Sequence, residues 1–269
     1  MAGSEPLGAH HKKVERLRRL LARRSFRSSE RAFVVEGATL VGEALDAGVA
    51  LEAVFVAPTD GPVPPVVDRA SAAGLRLHHL APGVLARVAG TVTPQPVLAI
   101  APMCDVELDE IAGVALGMVC VDVRDPGNAG SVLRCAEASG AGAVVFCTGS
   151  VDVFNPKTVR SSAGSLFHVP VVSGGDPAEV LVRLGASGVQ RLGTVARDGR
   201  PYDEVDFSIP STVVLGNEAN GLPPDLDQFL DLHVTVPMAG RAESLNVGMA
   251  AALMGFEALR QRRRRSSSP

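Results

Sequence analysis

From residue 117 to the last helix, the chain alternates short apolar runs with helical runs, and this pattern constrains the fold more than any other feature. The apolar runs have the length of single strands, as in Gly117–Val123, Ala143–Phe146 and Thr212–Leu215. Such an alternation is typical of a mostly parallel sheet with helices on both faces. A shorter α/β series precedes it, so we predict a smaller domain over residues 1–105 and a larger one over residues 106–269.

Charge is distributed unevenly along the chain, although the net charge is only −3. Residues 10–31 hold nine Lys or Arg against two Glu, and residues 260–265 add five Arg without an acid. The remainder is therefore strongly acidic. Clustered cations indicate a polyanionic partner, most often nucleic acid. The alternative is a solvated face of a basic amphipathic helix over residues 10–24 and a terminal tail.

Cysteine usage and hydropathy predict the compartment. The four cysteines have no CxxC spacing, and residues 1–24 lack the apolar core of a signal peptide. We therefore expect reduced thiols, a cytoplasmic protein and no zinc or other metal site. No apolar run is both long enough and free of proline to span a bilayer, so no membrane partner is expected either.

Three polar, glycine-containing segments follow predicted strands: Asp125–Arg134, Leu215–Leu222 and Val236–Val247. Ligands of open parallel sheets bind beyond the carboxyl ends of the strands, where these segments would lie. Asn128 is expected to cap the helix of the first segment, and Ser244 the final helix. One such segment is more often an ordinary loop, but three in one domain predict a binding site. No Walker lysine, GxSxG elbow or dinucleotide fingerprint is present.

The residues of these segments resemble, in order, the three motifs of the SpoU (TrmH-type) branch of the SPOUT RNA methyltransferases. They read Asn128-Ala-Gly-Ser-Val-Leu-Arg134, Gly216-Asn-Glu-Ala-Asn-Gly-Leu222 and Pro237-Met-Ala-Gly-Arg-Ala-Glu-Ser-Leu-Asn-Val247. Residues 155–167 resemble the segment that this family carries after its first motif. More loosely, the first domain resembles the family's ribosomal-protein-like substrate-binding domain. The resemblance implies a trefoil-knotted α/β domain that binds S-adenosylmethionine and works as a homodimer.

The resemblance also implies roles for individual residues. The implied catalytic residues are Asn128, Arg134, Glu218, Ser244 and Asn246. The implied cofactor-binding residues, which act largely through main-chain groups, are Leu215, Gly216, Asn217, Gly221, Val236, Met238, Ser244, Leu245 and Asn246. The residues expected to contact RNA are Lys12, Lys13, Arg16, Arg19, Arg23, Arg24 and Arg134. Lys157 and Arg160 would contact RNA or a partner subunit, or lie on a helix surface.

The implied reaction is methyl transfer to a ribose 2′-hydroxyl of structured RNA. A guanidinium does not normally lose its proton, so we expect Arg134 to clamp the phosphate of the target nucleotide while a phosphate or water accepts the hydroxyl proton. The separate N-terminal domain favours large-subunit ribosomal RNA. Alternatives are the same chemistry on tRNA and a non-catalytic RNA-binding protein of ribosome assembly. A housekeeping and an antibiotic-resistance methylase are not separated by the sequence.

Overall fold

A computed structural model of the chain describes residues 5–89 and 93–266. By their contacts the residues form two compact units. The first unit takes the chain up to Met103 together with Phe154–Phe167, and the second takes Cys104–Val153 and everything from His168 onward. The chain therefore passes between the units three times, because a segment that follows the first motif packs with the N-terminal residues.

Helices and strands alternate along most of the chain. Up to Met103 they are α1 (Lys12–Ala22), α2 (Arg24–Glu30), β1 (Ala32–Glu36), α3 (Ala38–Asp46), β2 (Ala53–Val56), α4 (Val66–Ala72), β3 (Leu77–His79), α5 (Val84–Val88) and β4 (Val97–Pro102). Beyond it they are β5 (Leu116–Cys120), α6 (Pro126–Ser139), β6 (Ala143–Phe146), α7 (Pro156–Ser161), β7 (Val171–Ser173), α8 (Pro177–Ala186), β8 (Gln190–Thr194), β9 (Arg200–Pro201), β10 (Ser211–Leu215), β11 (Leu232–Thr235) and α9 (Val247–Ser266). Short 3-10 helices lie at Leu108–Ile111, Ser165–Phe167, Tyr202–Glu204 and Pro224–Phe229.

The first unit is built on a four-stranded mixed sheet of order β1-β4-β2-β3. Strand β4 pairs antiparallel with β1 and β2, and β2 pairs parallel with β3. Helix α1 buries Val14, Leu17 and Leu20, which join Phe55 and Leu98 of the sheet in one apolar core. The apolar spacing predicted for the basic helix is thus used to hold it on the sheet.

The basic helix predicted over residues 10–24 corresponds to α1, and a second helix that was not predicted, α2, follows it. Arg23, between α1 and α2, has an extended backbone and ends the first. The buried guanidinium of Arg27 donates to the Leu20 carbonyl at 2.7 Å, and the Arg19 guanidinium lies 3.7 Å from the centre of the Phe26 ring. These contacts fix the joint, so two of the cations stabilise local structure.

The segment Phe154–Phe167 packs on β1 within the first unit. The Phe154 ring lies 4.9 Å from the Phe33 ring, centroid to centroid, and the Phe167 ring lies 6.4 Å from it. Arg160 Nη1 donates to Glu36 Oε2 at 2.8 Å, and the Glu36 side chain is only 4% exposed. The roles considered for Arg160 from the sequence did not include this ion pair inside the first unit.

The second unit is built on a seven-stranded sheet in which every pairing is parallel, with the order β7-β6-β5-β10-β8-β11-β9. Helix α8 covers one face, where Val180, Leu181 and Leu184 pack with Val119 and Val214. Helices α6 and α9 pack on each other and contact β5. The predicted mostly parallel α/β architecture, with a smaller N-terminal α/β domain, is confirmed.

Two helix caps predicted from the sequence are wrong. Asp125 caps α6, because its Oδ1 accepts from the Asn128 amide at 2.8 Å and Pro126 begins the helix three residues earlier than expected. Asn246, not Ser244, caps α9, because its Oδ1 accepts from the Gly248 amide at 2.8 Å. The side chain of Asn128 is thereby left for another role.

Part of the C-terminal arginine run has partners in the second unit. Arg262 Nε donates to the Phe207 carbonyl at 2.9 Å, and its Nη2 donates to the Ala115 carbonyl at 2.5 Å. Arg265 Nη1 donates to the Ser208 carbonyl at 3.3 Å. These contacts attach α9 to the segments before β5 and before β10, so the run is not only a charged tail.

Within residues 5–89 and 93–266, no helix combines the length and the apolar character needed to cross a membrane. Over the same residues, no three His, Cys, Asp or Glu side chains come together as candidate metal ligands. The four cysteines are free thiols. Burial raises the pKa of the Cys147 thiol to about 12.

Candidate active site

Two of the three motif segments line one cavity of about 370 Å³ in the second unit. Residues 215–222 follow β10, and residues 236–247 follow β11. The end of β8, which lies between these strands, adds Thr194, Val195 and Ala196 to the wall. The cavity therefore sits where three neighbouring parallel strands end, and its volume is in the range of small-molecule sites.

Asn217 shapes the loop after β10. Its backbone N–H and C=O pair with the carbonyl and amide of Gly221, both at 2.9 Å. Its side-chain Oδ1 accepts from the amides of Ala219 and Asn220 at 3.0 and 3.1 Å, and its Nδ2 donates to the Asp122 carbonyl at 2.9 Å. The loop is thus closed on itself and tied to the segment after β5.

Two glycines are required by the geometry of this loop. Gly221 has φ +68°, a backbone angle that residues with a side chain rarely adopt. A Cβ atom on Gly216 would collide with the backbone of Gly221 and Leu222. Any larger residue at position 216 would force the loop open and change the floor of the cavity.

A chain of side-chain hydrogen bonds joins all three motif segments beside the cavity. Asn246 Nδ2 donates to Asn128 Oδ1 at 2.7 Å, and Asn128 Nδ2 donates to Glu218 Oε1 at 3.0 Å. The Gly248 amide fixes the orientation of Asn246 by donating to its Oδ1. Each amide donates toward Glu218, so the arrangement is polar and directional.

Glu218 is an ionised acceptor in this network. Its two carboxylate oxygens also accept from the backbone amides of Asp125 at 3.0 Å and Arg124 at 3.3 Å. Partial burial alone would raise the pKa of the carboxyl, but the hydrogen bonds from Asn128 and the backbone amides outweigh it and hold the pKa below its ordinary value. Glu218 therefore orients its donors and is a weak base.

The charged side chains in the cavity lining, as the structure describes it, all have the same sign. The cavity walls are largely apolar, with Leu215, Val236 and Leu245 among them, and Glu218 and Asp227 are the charged side chains in its lining as the structure describes it. Both are acids. The lining therefore favours a ligand with neutral or positive character at this depth.

The structure brings most of the expected site residues together. The expected cofactor residues found in the cavity lining are Leu215, Gly216, Asn217, Gly221, Val236, Met238, Ser244 and Leu245. Asn128 and Asn246 lie in the adjoining hydrogen-bond network rather than in the lining. Arg134 is exposed on α6, outside the lining, and no hydrogen bond or ion pair reaches its guanidinium from the part of the chain described.

Some lining residues were missed by the sequence analysis. They are Thr194, Val195, Ala196, Glu218 as a wall residue, Ala219, Asn220, Leu222, Asp227, Val247, Ala250 and Met254. The strand ending near Val195 was expected, but its position between β10 and β11 was not, because side-chain patterns carry no information on which parallel strands are neighbours. Knowledge of the strand order would have pointed to residues 194–196.

The cations on and between α1 and α2 differ in whether other side chains already pair with them. Lys12 and Arg23, which were expected to contact RNA, and Arg18, which was not in that set, are exposed and have no ion pair or hydrogen bond through their side chains within the described ranges. Arg16, by contrast, donates to Glu30 Oε2 at 2.8 Å and to Glu52 Oε2 at 2.6 Å. The charge of Arg16 is thus already neutralised by the fold.

The sequence pattern of the SpoU rRNA Methylase family matches residues 115–256, which include the cavity and the network. The chain belongs to the SpoU rRNA methylase family. A second pattern, the MRM3-like substrate binding domain, matches residues 11–99, so both units have counterparts in known proteins.

Among SpoU relatives, the 23S rRNA (guanosine(2553)-2'-O)-methyltransferase RlmP of Bacillus subtilis (strain 168) is 35% identical over 92% of this chain and 96% of its own. The SpoU methyltransferase AviRb from Streptomyces viridochromogenes, solved in complex with the cofactor AdoMet, is 29% identical and superposes with a TM-score of 0.85 over 97% of this chain and 100% of that one. The TrmH/SpoU tRNA modifying enzyme of A. aeolicus, 25% identical with a TM-score of 0.51, covers 56% of this chain and 77% of that one.

Proposed function

We propose that the protein transfers the methyl group of S-adenosylmethionine to a ribose 2′-hydroxyl of large-subunit ribosomal RNA. The observation that carries the proposal is the convergence of the SpoU motif residues on one cavity beside the Asn246–Asn128–Glu218 network. The Bacillus relative, which is named as a 23S rRNA 2′-O-methyltransferase and aligns along 92% of the chain, supports the same substrate class.

The cavity suits S-adenosylmethionine in size, polarity and charge. Its apolar walls suit an adenine ring, and the backbone groups of residues 215–221 offer hydrogen bonds to polar edges. The acidic side chains Glu218 and Asp227 complement a sulfonium cation. We assign the cofactor to the lining residues Leu215, Gly216, Asn217, Gly221, Val236, Met238, Ser244 and Leu245, and Asn246 to the support of that wall.

S-adenosylmethionine, when bound, supplies a methyl group already activated by the sulfonium charge. The protein's own task is to position the hydroxyl and to let its proton leave. Glu218 is unsuited to accept that proton, because its pKa is lowered and its oxygens already accept three N–H groups. We therefore assign Asn128, Glu218 and Asn246 to orienting the groups of the site. Arg134 binds the phosphate of the target nucleotide, and a phosphate or water accepts the proton of the hydroxyl.

RNA is held through the first unit in this proposal. The exposed cations Lys12, Arg18 and Arg23 of α1 and its C-terminal end suit phosphates. The counterpart of this unit in known proteins is a substrate binding domain. The tRNA modifying relative aligns with only 56% of the chain, so ribosomal RNA is favoured over tRNA. Such a substrate would place the protein in the cytoplasm.

We further propose a homodimer and a trefoil knot in the second unit. Met249 and Phe256 of α9 are 60% and 48% exposed, and their spacing of seven residues puts them on one side of the helix. A second copy of the chain would bury this side. The knot is supported by family membership and by the return of β10 to the middle of the sheet, between β5 and β8.

The test is to incubate the protein with ribosomal RNA or tRNA and S-adenosylmethionine labelled in its methyl group, and to map 2′-O-methylated positions. We expect label in 23S rRNA and its loss in Asn246→Ala, which breaks the network at its first donor. Label in tRNA alone would favour the tRNA alternative. RNA binding without affinity for S-adenosylmethionine would instead identify a non-catalytic RNA-binding protein.

A further inference from the structure

Arg124 lies in the loop between β5 and α6 and is attached to the candidate active site through its backbone. Its amide donates to Glu218 Oε2 at 3.3 Å, next to the Asp125 amide that donates to Oε1. Its side chain is 72% exposed. The main chain of Arg124 is therefore part of the network, whereas its guanidinium points away from the protein interior.

The guanidinium of Arg124 is held by an aspartate in an uncommon conformation. Asp122 Oδ1 accepts from Arg124 Nε at 2.8 Å, and Asp122 has φ +54°, in the left-handed region. The Asp122 carbonyl accepts from Asn217 Nδ2 of the cavity loop at 2.9 Å. Such backbone conformations persist where surrounding contacts fix them, and they cluster at functional sites.

The described residues leave the remaining hydrogen-bonding capacity of Arg124 unused. Within the part of the chain that the structure describes, Asp122 is the one side chain that pairs with this guanidinium, through Nε. The terminal nitrogens Nη1 and Nη2 stay open to solvent. Two parallel N–H donors on the terminal edge of a guanidinium match two oxygens of a phosphate.

We propose that Arg124 binds a phosphodiester group of the RNA next to the target ribose and thereby positions the 2′-hydroxyl at the cavity. This inference rests on the proposed function. The charged side chains in the cavity lining, Glu218 and Asp227, are both acidic and repel phosphate. A cation at a fixed orientation beside Glu218 offsets that repulsion where the nucleotide enters. Arg124 is a positioning residue, distinct from Arg134 ten positions later on α6.

Three variants separate charge from orientation. Arg124→Ala removes both the charge and the oriented donors. Arg124→Lys keeps the charge but lacks the two parallel N–H donors of the guanidinium. Asp122→Asn keeps the arginine, and asparagine also tolerates positive φ, but the substitution weakens the hydrogen bond that Arg124 Nε donates to residue 122. The matched control is Arg183→Ala, because Arg183 is 52% exposed and also paired with one aspartate, Asp109, but lies on α8.

The measurements are Kd for ribosomal RNA at several salt concentrations, Kd for S-adenosylmethionine by calorimetry, and KM and kcat for methylation. We expect Arg124→Ala to raise the RNA KM about tenfold and to lower the slope of log Kd against log salt by about one. Arg124→Lys should keep the slope and raise KM about threefold. Asp122→Asn should keep the slope and lower kcat. Affinity for S-adenosylmethionine should stay within about twofold of the wild type in all three.

Two results would overturn the proposal. One is an RNA affinity and salt slope of Arg124→Ala equal to those of Arg183→Ala. The other is a loss of S-adenosylmethionine binding in Arg124→Ala, which would mean that the residue supports the cavity loop instead. If the wild type binds RNA but methylates none, the proposed function fails, whereas the salt slopes still decide whether Arg124 contacts phosphate.

Discussion

Individual side chains in the site do work that residue types alone did not reveal. The motif identified Asn128 as important, but its position before a helix suggested a cap. Asp125 fills that role, because it stands immediately before Pro126, and Asn128 is then free to bridge Asn246 and Glu218. Which polar residues pair depends on the three-dimensional approach of three separate loops, and spacing along the chain does not encode that approach.

The direction of the network predicts an unusual pH response for Asn128→Asp. The substitution keeps the acceptor for Asn246 but replaces the donor that lies 3.0 Å from Glu218 Oε1 with a second carboxylate. Two adjacent carboxylates raise each other's pKa, so the network re-forms only when they share a proton. Methylation by this variant should therefore increase as the pH falls from about 8 to about 6, measured as kcat/KM.

The wild type and Asn128→Ala provide the comparison for that pH profile. In the wild type the pKa of Glu218 is lowered, so its stabilising contribution is present above the ordinary glutamate pKa and is lost only as the pH falls through the lowered value. Neither protein should gain activity between about pH 8 and about pH 6. A variant profile parallel to that of the wild type would contradict the assignment of the amide as donor to Glu218.

At the scale of elements, most helices and strands follow from apolar periodicity, and the exception is instructive. Helix α2, with the sequence Arg-Ser-Phe-Arg-Ser-Ser-Glu, has no apolar stripe from which a helix could be predicted. It forms because Arg27 reaches back to the Leu20 carbonyl and Phe26 meets Arg19. A pattern of hydrophobic residues does not report tertiary contacts of cations, so the sequence predicted a helix over residues 10–24 and missed α2.

The difference between cations that are paired within the protein and cations that are not predicts which of those near α1 bind RNA. Replacing Lys12, Arg18 and Arg23 together with alanine should weaken RNA binding at least about tenfold and lower the salt slope by about two to three, because three charges are lost that no side chain among the described residues neutralises. Arg16→Ala should lower the slope by much less, because Glu30 and Glu52 already neutralise Arg16. Filter binding across a salt series measures both, and equal slopes for the two variants would refute the distinction.

The tight loop after β10 gives a second prediction at this scale. Gly216→Ala places a methyl group into the backbone of Gly221 and Leu222, so the loop must open. We expect at least a tenfold loss of affinity for S-adenosylmethionine with little change in RNA affinity, because the cations of α1 lie in the other unit. Calorimetric titration measures the first and filter binding the second. Gly240→Ala is the control, since a Cβ atom there meets nothing within 4 Å.

At the scale of the whole molecule, the sequence indicated two α/β parts and a mostly parallel sheet but not how strands neighbour one another. A buried parallel strand looks the same at the centre of a sheet and next to its edge. Likewise, nothing in the apolar pattern of residues 154–167 says that they pack on β1. Both facts depend on chain connectivity in space, which periodicity does not report.

The ion pair of that segment predicts a stability effect. Arg160→Ala removes the guanidinium that pairs with the Glu36 carboxylate, which is 4% exposed, so unfolding should become easier by about 2 kcal/mol. Glu36→Gln combined with Arg160→Met should recover most of this loss, because the buried charge is removed together with its ion-pair partner. Urea denaturation of the full chain measures both, and equal destabilisation of the two variants would argue against the loss of the ion pair as the cause.

The three passages of the chain between its units also limit how such an enzyme can be rearranged by recombination. A gene fusion that joins a new N-terminal module at residue 104 would inherit Phe154–Phe167 without the β1 surface that covers its apolar side chains. The first unit therefore cannot be exchanged by a single cut at residue 104. We expect new RNA specificity to evolve in this lineage by substitutions on the surface of the first unit, and a successful transplant to carry residues 154–167 with it.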